Sequence, residues 1–553
     1  MGRTGSKLRR SSLFDRVTSV LSPAMALRRA MRLRERGRAA RAFPLFAHAA
    51  RSGIAEAEYR VGRCYLEGSG VPISHTEGLR WLRSAATRGH IEAQWFLAVL
   101  CIQGVNASGT LEETSQGAVS LFSDNEAATP DFAEGEMWAR RSAGQGSAAG
   151  QALLGYILTS GPESMRNLEE AHQCYERSAA AGCAQGSLGY ALSLARTATD
   201  EKDQIKVAEH IRRSAEAGLA PALYLLGVLT ERGIGLKRDH AAAAQLYRQA
   251  ATKGNRSGQA SWGRALMAGR GVEPNPIEGE SWLRRAALSG DGQAAALVGE
   301  LYVKGGALPP NYAEAAIWFR RAAEAGHVTA ARALGLLYLT GAGVARDPKE
   351  AANWLRISAE AGDPQARVDF ANLLLNGVGD GQPEDLAKAR HWLGQAAEAG
   401  NLVAAFNYGR CLAEGVGVER DERQAVQWLR RAADSVASAQ YWYGRMLVEG
   451  RGAEANAEEG RTWIARAAAV GLADAEAALA EMMVNGRGGP RDHFTAMTLF
   501  EKAAAKGHAG AMFALGVLNS GGYDIAVDRA VAQRWFVAAA ERGHKEALKI
   551  SGV

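Results

Sequence analysis

Apolar positions along this chain fall three and four residues apart in runs of roughly three turns, the spacing that gathers them on one stripe of an α-helix. The stripes are of two alternating kinds. In one, a large residue, usually tryptophan (Trp81, Trp138, Trp282, Trp318, Trp354, Trp392, Trp428, Trp463 and Trp535), precedes an alanine pair such as Ala85-Ala86, Ala322-Ala323 or Ala432-Ala433, and the run stops at a glycine. Cys174, His210, Leu246 and Leu499 take the tryptophan position elsewhere. The other kind carries Ala, Gly and aromatic anchors, as in ALGLLYLTG (333–341) and AEYRVGRCYLEG (57–68). This predicts helices in which the tryptophan fills the core and the small residues let a neighbouring helix approach closely.

The terminating glycines recur at a fixed period. Gly146, Gly182, Gly218, Gly254, Gly290, Gly326 and Gly362 are 36 residues apart, Gly53 and Gly89 precede them, and Gly400, Gly471, Gly507 and Gly543 follow. Val436 stands where one glycine is expected. Such glycines are expected to end the helix in the left-handed conformation. Seven residues before the tryptophan position stand Ser74, Asp131, Asn167, Asp203, Asp239, Asn275, Asn311, Asp347, Asp385, Asp421, Asn456, Asp492 and Asp528. All are residue types that cap helix N-termini. Three residues further on come Glu77, Glu134, Glu170, Glu278, Glu314, Glu350, Gln424 and Glu459, which completes a capping box. Pro276 and Pro348 fit the first helical position.

Each repeat therefore reads as helix A, a glycine turn, a capped helix B and a second glycine turn. The expected fold is all-α: one continuous right-handed α/α superhelical solenoid of about thirteen helix-turn-helix repeats, whose core exists only between neighbours. Residues 1–23 read as a basic, disordered N-terminal segment, and 24–52 as a degenerate capping helix pair with Leu45 at the tryptophan position. The repeat array spans 53–543, and 544–553 closes it as a capping helix. Gly89 and Gly146 are 57 residues apart, which places an insertion at about 105–130. It holds Glu112, Glu113, Asp124 and Glu126 and no Lys or Arg. A long loop on a rigid scaffold is often functional; a merely tolerated insertion is the alternative.

The segments ARALGLLYLTGAGVARDPKEAANWLRISAEAG (331–362) and AAFNYGRCLAEGVGVERDERQAVQWLRRAADS (404–435) carry the pattern A-x4-G-x2-Y…G-x-G-V…D-x3-A…W…A-A…G almost whole. In this the chain resembles the Sel1-like repeat family, relatives of the tetratricopeptide repeats. The resemblance implies an adaptor or scaffold that assembles protein complexes in quality control, signalling, or bacterial envelope and exopolysaccharide processes. Some secreted bacterial members carry a disulfide within each repeat, and this sequence lacks that regular pair. Some relatives are linked to β-lactam hydrolysis, so a hydrolase stands as an alternative.

Charge and chemistry refine this picture. Residues 1–41 hold twelve Arg and Lys against Asp15 and Glu35, so this stretch carries +10 of a net +6 and the remainder sums to −4. The basic pI thus belongs to one end, which argues against a nucleic-acid-binding body. That end could meet an anionic membrane surface or an acidic partner. Cys64, Cys101, Cys174, Cys183 and Cys411 are odd in number and form no CxxC, so free buried thiols in a reducing compartment are expected. No run of 18 apolar residues occurs. KLRRSSLF has an Arg pair, but Asp15, Arg16 and Pro23 interrupt what an export signal needs.

The glycine pairs Gly68/Gly70, Gly233/Gly235, Gly269/Gly271, Gly341/Gly343, Gly377/Gly379, Gly415/Gly417 and Gly486/Gly488 resemble phosphate loops, but no Lys-Ser/Thr follows at the required spacing. They read as turns. His90, His327, His508 and His544 follow the terminal glycine, a place read here as a helix C-terminus that suits a partly positive imidazole. No HExxH or G-x-S-x-G with partners occurs. No catalytic, cofactor-binding or metal-ligating residue is therefore assigned. The function expected is a non-enzymatic protein–protein interaction scaffold that binds a protein or peptide along a concave face lined by helix A. It is placed in the cytoplasm or peripheral to the inner membrane, and a peripheral organiser of envelope or exopolysaccharide assembly is the variant reading.

Overall fold

A computed structural model of the chain describes residues 22–104, 130–305, 309–377, 383–416, 418–521 and 523–551. The expectations for the basic segment up to residue 21 and for the insertion from 105 to 129 lie outside the described residues. Among those described there are 29 α-helices, one 3-10 turn (Glu163–Met165) and no strand. Numbered in chain order, odd helices are A and even helices are B, from α1 (Pro23–Glu35) and α2 (Ala39–Arg51) to the lone closing helix α29 (Lys545–Ser551). The helices fall into two compact blocks, residues 1–291 and 292–553. The first ends with α14 (Pro276–Leu288), and the second begins with α15 (Gly292–Lys304).

Helix B starts where the caps say. In eleven of the thirteen repeats the expected Ser, Asp or Asn accepts a backbone N–H two or three residues on; Asp347, for example, bonds the N–H groups of Lys349 and Glu350 at 3.0 and 3.1 Å. Two positions depart from expectation. α10 (Glu201–Glu216) begins earlier: Asp200 is its cap, and Asp203 is the donor at 2.8 Å. α20 (Pro383–Glu398) likewise starts ahead of Asp385, which sits in its first turn. Both helices are 16 residues long, because Asp and Glu are also favourable inside a first turn and cannot alone fix the start. The box glutamate has a second use: Glu134, Glu278, Glu314 and Glu459 accept the indole N–H of the tryptophan one turn on, at 3.1–3.3 Å.

Helix B ends at the repeating glycine. All thirteen such glycines have φ between 78° and 102°. At Gly326 the chain closes with Gly326 N–H on Ala323 O and His327 N–H on Ala322 O, both 2.9 Å, which satisfies carbonyls that the last turn leaves free. Where Val436 replaces glycine, α22 (Glu422–Ala433) stops earlier, and Ser435 and Val436 both donate to Ala432 O.

The deepest residue is not the tryptophan. Trp138, Trp318 and Trp463 are buried, but Trp81, Trp282, Trp354, Trp392, Trp428 and Trp535 are only half-buried. The next residue is buried in every repeat: Leu82, Ala139, Tyr175, Ile211, Tyr247, Leu283, Phe319, Leu355, Leu393, Leu429, Ile464, Phe500 and Phe536. One residue turns the side chain about 100° around the helix, so this position points straight at helix A and the tryptophan lies at its rim. Opposite stands a small residue of helix A. A Cβ at Gly335, in α17 (Val328–Thr340), would lie 2.9 Å from Leu355 Cγ, and one at Gly227 would lie 2.7 Å from the Tyr247 ring. Glycine sets the close A–B approach, and the buried side chain fills the space above it.

Candidate interaction surface

The glycine pairs resolve first. Gly341 ends α17 in the left-handed conformation at φ 76°. Gly343 (φ 73°) lies against the first turn of the preceding repeat's helix B, α16 (Tyr312–Glu324); a Cβ there would be 2.2 Å from the Tyr312 carbonyl carbon. Gly70, Gly235, Gly271 and Gly488 press on the equivalent backbone of their own preceding helix B. An eighth pair, Gly450/Gly452, which the sequence reading passed over, does the same. The N–H groups of these turns serve the helix end (Gly341 N–H and Ala342 N–H donate to Leu337 O), so the resemblance to a phosphate loop is local only. Gly379 and Gly417 lie outside the described residues.

The four histidines need correction. They stand at the N-terminus of the following helix A rather than at a C-terminus, and each caps it: Nδ1 of His90, His327, His508 and His544 accepts the N–H of Ala93, Ala330, Ala511 and Ala547 at 3.0–3.3 Å. Ser147, Asn255, Asp363 and Asn401 do the same at that position. An accepting Nδ1 is unprotonated, so the proton sits on Nε2, and at His90 that atom meets Glu56 Oε2 at 2.7 Å. The signal was present in the sequence: Ser, Asn and Asp share this column with His.

The cysteines are free, with Cys64, Cys101, Cys174 and Cys411 buried and Cys183 half-buried. Burial pushes the Cys101 thiol up to about 12 and Cys411 to about 11, far from thiolate reactivity. Among the described residues no three His, Cys, Asp or Glu side chains group as metal ligands, and no helix is long and apolar enough to cross a membrane.

What remains is surface. Within the N-terminal block, helix α5 (Ile91–Ile102) packs on α7 (Ala148–Ser160), and α7 on α9 (Ala184–Ala195). In the C-terminal block α21 (Leu402–Glu414) packs on α23 (Ala437–Glu449). Neighbouring helices B make no comparable contact among the described residues, so helix A lines the tighter side of each block. Polar side chains tie that side together: Arg332 Nε to Asp369 at 2.7 Å and Asn407 Nδ2 to Asn372 at 2.5 Å.

The helix-A side of the C-terminal block holds a recess of about 270 Å³, between α23 and α25 (Ala473–Asn485). Tyr441, Arg445, Glu449, Glu481, Asn485 and Arg487 line it. The Arg445 guanidinium lies 5.7 Å from the Tyr441 and Trp442 ring centres and bonds Glu449 at 2.9 Å. Burial raises the Tyr441 phenol, which is therefore neutral and able to donate. Arg487 is anchored on Val448 O at 2.7 Å, while Glu481 has no ion pair among the described residues. The recess thus offers an incoming side chain a carboxylate, a phenol and an aromatic wall. Sequence reading anticipated aromatic anchors on helix A, but not which two helices would frame a recess.

Comparison with known proteins bears on the whole chain. The family model described as Sel1 repeat matches eleven segments: 55–90, 148–183, 220–255, 257–291, 292–327, 328–363, 371–401, 402–435, 437–472, 473–508 and 509–544. No curated protein matches the sequence. Among solved structures, c5321, a protective antigen of uropathogenic Escherichia coli described as displaying an SLR fold, is 24% identical with TM-score 0.51, covering 92% of this chain and 97% of that one. A Sel1 repeat protein from Oxalobacter formigenes is 26% identical with TM-score 0.32, covering 66% of this chain and 94% of its own.

Proposed function

The chain belongs to the Sel1 repeat family, and on that premise we propose that it is a non-enzymatic scaffold that holds a protein or peptide partner along its helix-A side, organising a bacterial multi-protein assembly. Solenoids of this family generally serve as interaction scaffolds rather than catalysts. The observation that carries the reading is the recess between α23 and α25, where aromatic and charged side chains converge on the side that neighbouring helices A build together. Many shallow contacts along such a side, with a few aromatic anchors, give affinity without a deep pocket. A photo-crosslinking residue at Tyr441 or Leu336 is expected to capture a discrete protein partner from the native cell, and one at Thr462, on an exposed face of helix B, is not. Equal capture at all three sites, or no capture together with measurable turnover of a small substrate, overturns the proposal.

A further inference from the structure

A second surface runs along the helices B. Five residues before the terminal glycine stand Arg141, Arg177, Arg213 and Arg285 in the N-terminal block, and Arg321, Arg431, Arg466 and Lys502 in the C-terminal block. All eight are exposed. None of them makes an ion pair with a carboxylate among the described residues, whereas the arginine one residue earlier often does: Arg140 pairs with Glu170 and Glu136, Arg284 with Glu280, and Arg430 with Asp434. Three arginines of the earlier column are neutralised inside the fold, and the adjacent column is left open.

The open column is also held in place. Arg141, Arg285, Arg321, Arg431 and Arg466 lie 4.3–5.8 Å above the ring of the tryptophan three residues before them. The tryptophan, buried at Trp138, Trp318 and Trp463 and half-buried at Trp282 and Trp428, thus has a second use. It fixes a guanidinium over its face and leaves the N–H donors toward solvent, so less side-chain entropy is lost when an anion binds. Arg141, Arg177 and Arg213 occupy three consecutive repeats, as do Arg431, Arg466 and Lys502. Arg140 reaches Glu170 on the next helix B, so consecutive members of the column lie within the span of one extended segment.

We infer that, within each block, this column is a docking surface for an acidic protein segment whose carboxylates recur every few residues. Other polyanions fit less well. Where the column's arginine lies over a tryptophan, that face is already covered and is not free to stack on a base. A membrane would touch a single row rather than a flat patch.

The test is a fluorescence-anisotropy titration of the full chain with a labelled Ser/Gly peptide carrying Glu at every third position. Saturable binding that weakens with salt is expected, and the triple variant Arg431→Gln/Arg466→Gln/Lys502→Gln should weaken it about tenfold, as the loss of three screened charge pairs implies. A control triple, Arg423→Gln/Arg529→Gln/Arg534→Gln, removes the same charge from other exposed sites and should leave binding within about twofold. Thermal melts verify that both variants fold. No binding by the wild-type chain, equal losses in the two triples, or tighter binding of a single-stranded oligonucleotide or of phosphatidylglycerol vesicles than of the peptide overturns the inference. Crosslinking through Tyr441 is independent of this column, so the helix-A reading can fail or hold separately.

Discussion

Three glycines of one repeat do three different jobs, and a single methyl group separates them. At Gly362 a Cβ meets nothing within 4 Å, and only the φ of 102° resists it. At Gly335 the backbone is ordinary helix, but the Cβ meets Leu355 Cγ at 2.9 Å and Ala351 O at 3.2 Å. At Gly343 both penalties act, with the Tyr312 carbonyl carbon at 2.2 Å. The expected order of destabilisation on substitution by alanine is Gly343, then Gly335, then Gly362. Gly362→Ala should cost about 1 kcal/mol and Gly335→Ala about 1–3 kcal/mol, as urea titrations would measure. The sequence made all three glycines visible through their period. It could not rank them, because the atoms that Gly335 and Gly343 approach are 16 to 31 residues away along the chain. For the same reason the tryptophans drew the eye and the residue after them did not: the column Leu, Ala, Tyr, Ile, Phe shares burial but no single chemistry.

At the scale of the helix, caps decide where each element begins. Asp200→Ala is expected to lower stability by about 1 kcal/mol, while Asp203→Ala should change it by less than about half of that. Equal losses in denaturation would return the cap to Asp203. Charge enters at Asp492, whose carboxylate accepts the Thr495 hydroxyl at 2.6 Å and its N–H at 3.0 Å. The hydroxyl bond, then the backbone bonds, hold this carboxyl below its ordinary range. Its folded value lies under its unfolded one, so its contribution is present above the unfolded value of about 3.9 and is lost as pH falls through the folded value. An NMR titration of the Thr495 amide should have its midpoint below that of an unstructured Asp, and Thr495→Val should move it upward. Helix starts were legible wherever one capping residue stood alone. They were misplaced at Asp203 and Asp385, where acidic residues follow one another or a proline comes first.

Over each block, stability is a sum of repeats and their contacts. One hydrophobic cluster joins Ala397 on α20 to Trp463 on α24 (Ala457–Ala469), across five consecutive helices. Leu355→Ala, which empties a fully buried site, should cost about 2–5 kcal/mol locally. Hydrogen exchange should then show protection lost in α17 to α20 and retained in α26 (His493–Ala505) and beyond; uniform loss would mean the block unfolds as one. Thiol chemistry reads the same packing. In the native chain Cys183 should react first, with the four buried cysteines reacting only on unfolding. The repeat architecture was plain from the period alone, because every unit restates it. The surface was not: the recess at Tyr441 and the open cation column depend on which side chains of different repeats meet, and on which charges find a partner.

The second glycine of each turn gives the array a direction in time. Gly343 rests on α16, which is complete some twenty residues earlier in the chain, and Gly70, Gly235, Gly271, Gly452 and Gly488 likewise rest on a helix B that precedes them. A polypeptide growing from its N-terminus therefore presents a finished seat to each of these turns. Removing repeats from the C-terminal end leaves these second glycines seated, whereas removing them from the N-terminal end strips one of them of its support.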